Sequence, residues 1–200
     1  MGLPSFAVSF DYRCPFAKNI HLHLIAALRN GADFDVTFEP WTLSQGHRAE
    51  GAPDVWDDPT KEADLLALAY GVAARETQSD DAFLEAHEAL FRARHERGIR
   101  LATADEIDTV LVETSVDLDA VRAEVASRRP YDVIAETYRR FAQLEAFGVP
   151  TFVVGNDATF VRYMTAPTDG VDSTAVISSL VTLMATNPAL NEFKHTRLPA

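Results

Sequence analysis

The sequence predicts an α/β fold in which a βαβ unit and a ββα unit share one sheet and are separated along the chain by a long helical block. Three observations carry this: two alternating apolar runs within residues 6–39, near-unbroken helical periodicity from about residue 56 to 147, and a short strand pair around Gly155 followed by an apolar helix. Residues 1–45 and 148–200 are expected to form the sheet-bearing domain, with 46–147 inserted as a helical subdomain. Removing the insertion leaves about 100 residues, an ordinary size for a small domain.

The elements follow in order. Phe6, Val8 and Phe10 alternate with smaller or polar residues, as one buried strand face requires, and the run stops at Asp11-Tyr12. Pro15 opens a helix, because proline is preshaped for the first helical position and has no amide to satisfy there. Ile20, Leu24 and Leu28 share a helix face, and Asn30-Gly31 is its stop. Residues 33–39, with Phe34, Val36 and Phe38 alternating against polar residues, read as a second strand parallel to the first. Thr42 to Val55 is a loop flanked by Trp41 and Trp56, which either rim a cleft or pack in the core.

Within the block, Leu65, Leu68 and Ala69 mark one helix, and Phe83, His87, Leu90 and Phe91 a second. Thr103 with Glu106 is a capping-box start for a third. Asp117 to Val125 and Pro130 to Phe147 complete the block. Asp57-Asp58 and Asp80-Asp81 precede helical patterns and stabilise helix starts through the dipole. Thr151 to Val154, the turn Gly155-Asn156-Asp157 and Thr159 to Arg162 form a hairpin. A last helix runs from a cap at Asp172 or Ser173 through Met184.

Composition narrows the function. The 200 residues are 47% hydrophobic and 24% charged, a globular balance, and the net charge of -12 repels phosphate backbones and anionic lipid. Nucleic acid is excluded as a partner. No run approaches the ~20 apolar residues of a membrane span, and the N-terminus lacks a secretory pattern, so no membrane partner and a cytoplasmic setting are expected. Whether the chain forms a homodimer is left open. One cysteine cannot make an intramolecular disulfide, so any redox chemistry takes its second sulfur from elsewhere.

Cys14-Pro15-Phe16-Ala17 stands where the first strand meets the first helix. A thiolate there faces unpaired amides and the positive helix end, which favour ionisation. Arg13 and Lys18 add positive charge nearby, so a depressed thiol pKa is expected. Read from its place alone, Cys14 is either such a nucleophile or a small buried apolar side chain. Gly148-Val149-Pro150-Thr151 sets a proline at the start of a strand, either as a cis bond exposing its flanking backbone or as a trans proline closing a helix. Arg162 and Met164 follow the hairpin and are candidates to line a pocket behind Pro150. No metal site is expected: His21 and His23 point roughly 200° apart on a helix, and Phe91 stands where a second ligand to pair with His87 would be needed. His21, two turns from Cys14, reads as a packed or surface histidine.

These motifs resemble the DsbA-like branch of the thioredoxin superfamily, with its inserted all-helical subdomain. Phe10-Asp11-x-x-Cys14-Pro15-Phe16-Ala17, the run from Gly148 to Gly155, and the tail Asn191-Glu192-Phe193-Lys194-His195-Thr196 are similar to FrnE-type proteins and mycothiol-dependent nitroreductases. The resemblance implies a catalytic Cys14, a cis Pro150 against its sulfur, and a substrate site made of Pro15, Phe16, Ala17, Val149, Pro150 and Thr151 under a helical lid. Dithiol members carry cysteine where this chain has Ala17, so their two-cysteine cycle cannot run here.

A monothiol route stays open: Cys14 exchanges with a small-molecule or protein disulfide, and a low-molecular-weight thiol, mycothiol or glutathione, resolves the adduct. No tightly bound cofactor is implied. Kappa-class glutathione transferases and 2-hydroxychromene-2-carboxylate isomerases suggest a second reading, a thiol-dependent transferase or isomerase, although serine is usual there at the Cys14 position. A redox-inactive binding protein is the third.

Overall fold

The computed structural model describes residues 2–168, 171–192, 194, 195 and 197; Phe193 and Thr196 of the tail motif lie outside the described residues. Strand β1 (Phe6–Phe10) leads into helix α1 (Pro15–Arg29) and strand β2 (Val36–Pro40). A single-turn helix α2 (Leu43–Gly46) and a 3₁₀ turn (Pro59–Lys61) precede the block. The block comprises α3 (Glu62–Thr77), α4 (Asp80–His95), α5 (Ala104–Leu111), α6 (Leu118–Ala126) and α7 (Arg129–Gln143). Strands β3 (Thr151–Val154) and β4 (Asp157–Phe160) and helix α8 (Ser173–Thr186) complete the chain.

The sheet order is β2-β1-β3-β4, with β1 parallel to β2 and antiparallel to β3. The central position of β1 explains why even Ser9, on its polar side, is fully buried. Phe6 stacks on Phe152 across the β1–β3 pair, ring centroids 5.9 Å apart. Helix α1 packs against α8 and α4 and is buried nearly all round, beyond the single stripe its leucines suggest. The second histidine of that helix, His23, meets Ser173 of α8 at 3.0 Å. In the block, α3 is the hub against α4, α6 and α7, and its buried residues join those of the sheet in one continuous core.

Caps fall where the side chains predict them. Thr103 accepts the Glu106 amide and Glu106 reaches back to the Ala102 amide, one residue short of the reciprocal box bond. Asp58, Ser79, Asp117 and Asp172 cap the 3₁₀ turn, α4, α6 and α8.

Four boundaries differ from expectation. Strand β2 starts at Val36, because Phe34 leaves the ladder to pack edge-on against Phe6. The loop after Trp41 contains α2, capped by Thr42. Helix α7 stops at Gln143 rather than Phe147, and Glu145 takes a left-handed conformation at φ 56° that turns the chain. Strand β4 starts at Asp157 and ends at Phe160, because Gly155 in a left-handed conformation (φ 61°) makes a tight turn.

Candidate active site

The site begins at the exit of β1. Asp11 is buried, and its carboxylate accepts the Arg13 amide and guanidinium and the Leu43 amide, tying the β1–α1 turn to α2. Three residues on, the Cys14 amide donates to the Asp11 carbonyl at 2.9 Å, and the Cys14 carbonyl accepts from the Lys18 amide at 3.0 Å. Cys14 is thus the N-cap of α1, with Pro15 as the first helical residue.

The Cys14 thiol donates to the Val149 carbonyl at 3.2 Å, across 135 residues of sequence. The Val149–Pro150 peptide is cis. Pro150 offers its carbonyl to the Val161 amide at 3.1 Å, which joins it to the end of β4. The Thr151 amide donates to Ser9 Oγ at 2.8 Å, and its hydroxyl to the Gly148 carbonyl at 2.7 Å. Cys14 thus meets the segment at Val149, and Pro150 and Thr151 follow it along the chain. Pro15 is exposed beside them, and Phe16 is half-buried under the Arg162 guanidinium, 4.9 Å from its ring centre. Ala17 is fully buried and presents the sulfur with a backbone amide rather than a side chain.

The expected acidity of the thiol is not found. Burial pushes the Cys14 pKa above the ordinary thiol value, the Ala17 and Phe16 amides pull it back, Asp11 raises it and Arg162 lowers it. Only 6% of Cys14 is exposed, so desolvation of a thiolate outweighs the helix end. Nor do Arg13 and Lys18 supply the expected positive field. Arg13 pairs with Asp11 at 2.6 Å and Asp64 at 3.4 Å, and Lys18 with Glu96 at 3.7 Å.

Tyr12, two residues before Cys14, ends a buried polar chain that spacing alone does not reveal. Ser9 offers His21 only a carbonyl, so His21 Nε2 carries the proton across their 3.2 Å contact. His21 Nδ1 then accepts from His87 Nε2 at 2.9 Å, and His87 Nδ1 accepts from the Tyr12 hydroxyl at 2.8 Å. His95 Nε2 donates to the Tyr12 carbonyl at 2.8 Å, so two histidines of α4 grip the residue two before the cysteine.

Trp41 is fully buried and stacked on Tyr138, a packing role. The loop after it walls a separate cavity of ≈ 490 Å³ with Arg13, Leu43, Arg48 and Lys61, and Cys14 does not line it. Met164 is partly exposed, at 38%. Among the described residues, no group of three His, Cys, Asp or Glu is placed to hold a metal ion.

Residues 7–175 match the DSBA-like thioredoxin domain. The chain belongs to that family. It is thereby a DsbA-like protein of the thiol–disulfide oxidoreductase family. No curated protein matches this DsbA-like chain by sequence. Among solved structures it is similar to Pseudomonas aeruginosa DsbA: 17% identity, TM-score 0.58, covering 96% of this chain and 88% of that one. It is also similar to the cytosolic disulfide reductase DsbM of Pseudomonas aeruginosa, solved with GSH: 16% identity, TM-score 0.61, covering 90% and 100%. A 2-hydroxychromene-2-carboxylate isomerase shares the fold too, at 14% identity and TM-score 0.61, covering 94% and 99%. At these identities the likeness is one of fold. No helix of the described residues is long and apolar enough to cross a membrane.

Proposed function

We propose that this DsbA-like protein is a monothiol thiol–disulfide oxidoreductase whose only redox sulfur is Cys14, working with a low-molecular-weight thiol, mycothiol or glutathione. The observation that carries the reading is the 3.2 Å contact between the Cys14 sulfur and the Val149 carbonyl beside the cis proline. That contact sets the sulfur against backbone that an extended or small thiol substrate can pair with. The sequence motifs align it further with FrnE-type proteins. The lone cysteine suits the reducing cytoplasm.

In the resting state the thiol keeps its proton, held by burial and by the Val149 carbonyl. On losing it, the thiolate attacks one sulfur of a disulfide R–S–S–R′ held against Val149, Pro150 and Thr151. The new Cys14–S–S–R bond forms as R′S⁻ leaves and takes up a proton. A small-thiol anion R″S⁻ then attacks the R sulfur, releasing R–S–S–R″ and the Cys14 thiolate. One disulfide is consumed and one formed, and no second protein sulfur is required, which suits Ala17. The sheet-bearing domain of residues 1–45 and 148–200 holds the sulfur, and the helical block, 46–147, acts as its lid through the α4 histidines on Tyr12.

Incubation with glutathione disulfide, and separately with mycothiol disulfide, followed by intact mass spectrometry tests this. The expected result is one small-thiol adduct per chain, reversed by dithiothreitol and absent from Cys14→Ser. If neither disulfide labels Cys14, the redox reading fails, and the transferase or isomerase reading, with the sulfur of a bound cosubstrate at the helix mouth, takes its place.

A further inference from the structure

Most arginines in this acidic chain are neutralised by carboxylates, for example Arg13 by Asp11 and Asp64, Arg92 by Glu88 and Glu96, and Arg140 by Glu39. Arg162 differs. No carboxylate, carbonyl or hydroxyl of the described residues bonds it, and it is exposed at the surface. Its guanidinium lies over two aromatic faces instead, 4.9 Å from the centre of Phe16 and 5.9 Å from that of Phe160. Those rings fix it in place. Phe16 is two residues after Cys14, and Arg162 is one residue beyond the Val161 amide that bonds the Pro150 carbonyl. The same guanidinium acts by charge on the Cys14 sulfur. Beside it, Phe147 packs on Phe160 at 5.1 Å yet remains 73% exposed, directly before the Gly148–Pro150 segment.

A cation held open by ring stacking, within the reach of its own charge from the sulfur and next to an uncovered aromatic face, is built to receive an anion carried by the substrate. We propose that Arg162 selects the small thiol: its guanidinium takes a carboxylate of the incoming thiol or disulfide while Phe16, Phe160 and Phe147 cover the apolar stem. This rests on the monothiol reading above and deepens it. It favours a carboxylate-bearing thiol such as glutathione over a neutral sugar thiol such as mycothiol. The long-range field points the other way, because a net charge of -12 repels an anionic thiol and attracts a cationic one.

The opposition of the two effects makes the test sharp. The glutathionylated protein is resolved by glutathione and, separately, by glutathione diethyl ester, and each rate is divided by that thiol's rate with a small disulfide in free solution. The wild type is expected to favour the acid over the ester by about tenfold, the size of one charge-assisted bond. Arg162→Gln is expected to bring that ratio to within a factor of two of unity, or below it, and Arg162→Lys to keep part of it. The ratio cancels any change in the sulfur's own reactivity, and circular dichroism of each variant checks folding. Equal rates, or a faster ester, in the wild type overturn the assignment of Arg162 while leaving the monothiol reading intact. A preference that survives in Arg162→Gln overturns it as well. Discrimination confined to acidic peptide disulfides, with none between glutathione and its ester, overturns the choice of a small thiol. Failure of any adduct to form on Cys14 overturns both readings.

Discussion

The Tyr12 hydroxyl donates to His87 Nδ1 at 2.8 Å in a fully buried pocket roofed by Gly71, where a β-carbon would come within 2.4 Å of that hydroxyl. One contact thereby joins the turn before Cys14 to two helices of the block, α4 through the histidine and α3 through the glycine. Gly71 sits in mid-helix, where glycine costs stability, and the close approach of Tyr12 is the reason for it.

Gly71→Ala is accordingly expected to destabilise the protein by about 1–3 kcal/mol through overpacking. Tyr12→Phe alone leaves His87 Nδ1 unpaired and costs a similar ~1–3 kcal/mol. The double variant is expected to lose less than the sum, since removing the hydroxyl takes away the closest clash, at 2.4 Å, and leaves the ring carbon Cε2 at 2.9 Å to be relieved by a small shift of the ring. Urea unfolding of all four proteins checks this, and strict additivity would contradict the contact.

Acid should weaken the fold well above the carboxylate range. Burial lowers the His21 pKa from 6.5 to about 3 and that of His87 well below its ordinary value. Both rings are neutral when folded and protonate when unfolded, so stability is complete above pH ~6.5 and falls as the pH drops, by roughly 1.4 kcal/mol per unit for each histidine. His23, buried, and His95, half-buried, are also lowered and act in the same direction. A urea midpoint independent of pH between about 6.5 and 5 would mean that these rings are not held neutral.

Cys14 should alkylate as an unactivated thiol. With its pKa raised by burial, the iodoacetamide rate is expected to climb about tenfold per pH unit through neutrality and past pH 8.5, the free-cysteine value. A plateau below that pH would show a stabilised thiolate and restore the acidity that the helix end alone suggests.

Ser9→Ala removes the Ser9 Oγ acceptor of the Thr151 amide and should cost about 1–3 kcal/mol. Because that bond seats the segment beside Cys14, the pH profile of alkylation should shift as well. Loss of stability with an unchanged profile would confine Ser9 to a structural role.

Local rules account for what the linear sequence reveals of the site. Pro15 after Cys14 marks a helix mouth, and Gly148-Val149-Pro150-Thr151 marks a strand start, each within a few residues. The Ser9, His21, His87 and Tyr12 chain is invisible in that frame. His21 and His87 are 66 residues apart and lie on different helices, and each taken singly reads as an ordinary packed histidine. A buried serine in a central strand was the one available signal, and strand alternation assigns Ser9 to the polar face.

By itself the sequence determined the order of the elements and the place of the sulfur at the mouth of α1, since periodicity, proline and capping side chains act over a single turn of chain. Tertiary structure alone decided the charge of that sulfur and its neighbours. Asp64 and Glu96 neutralise the cations that adjoin Cys14 in sequence, Arg162 arrives from the far end of the sheet, and burial withdraws the water that a thiolate needs. Ionisation depends on distances and solvent in three dimensions, which no spacing along the chain records.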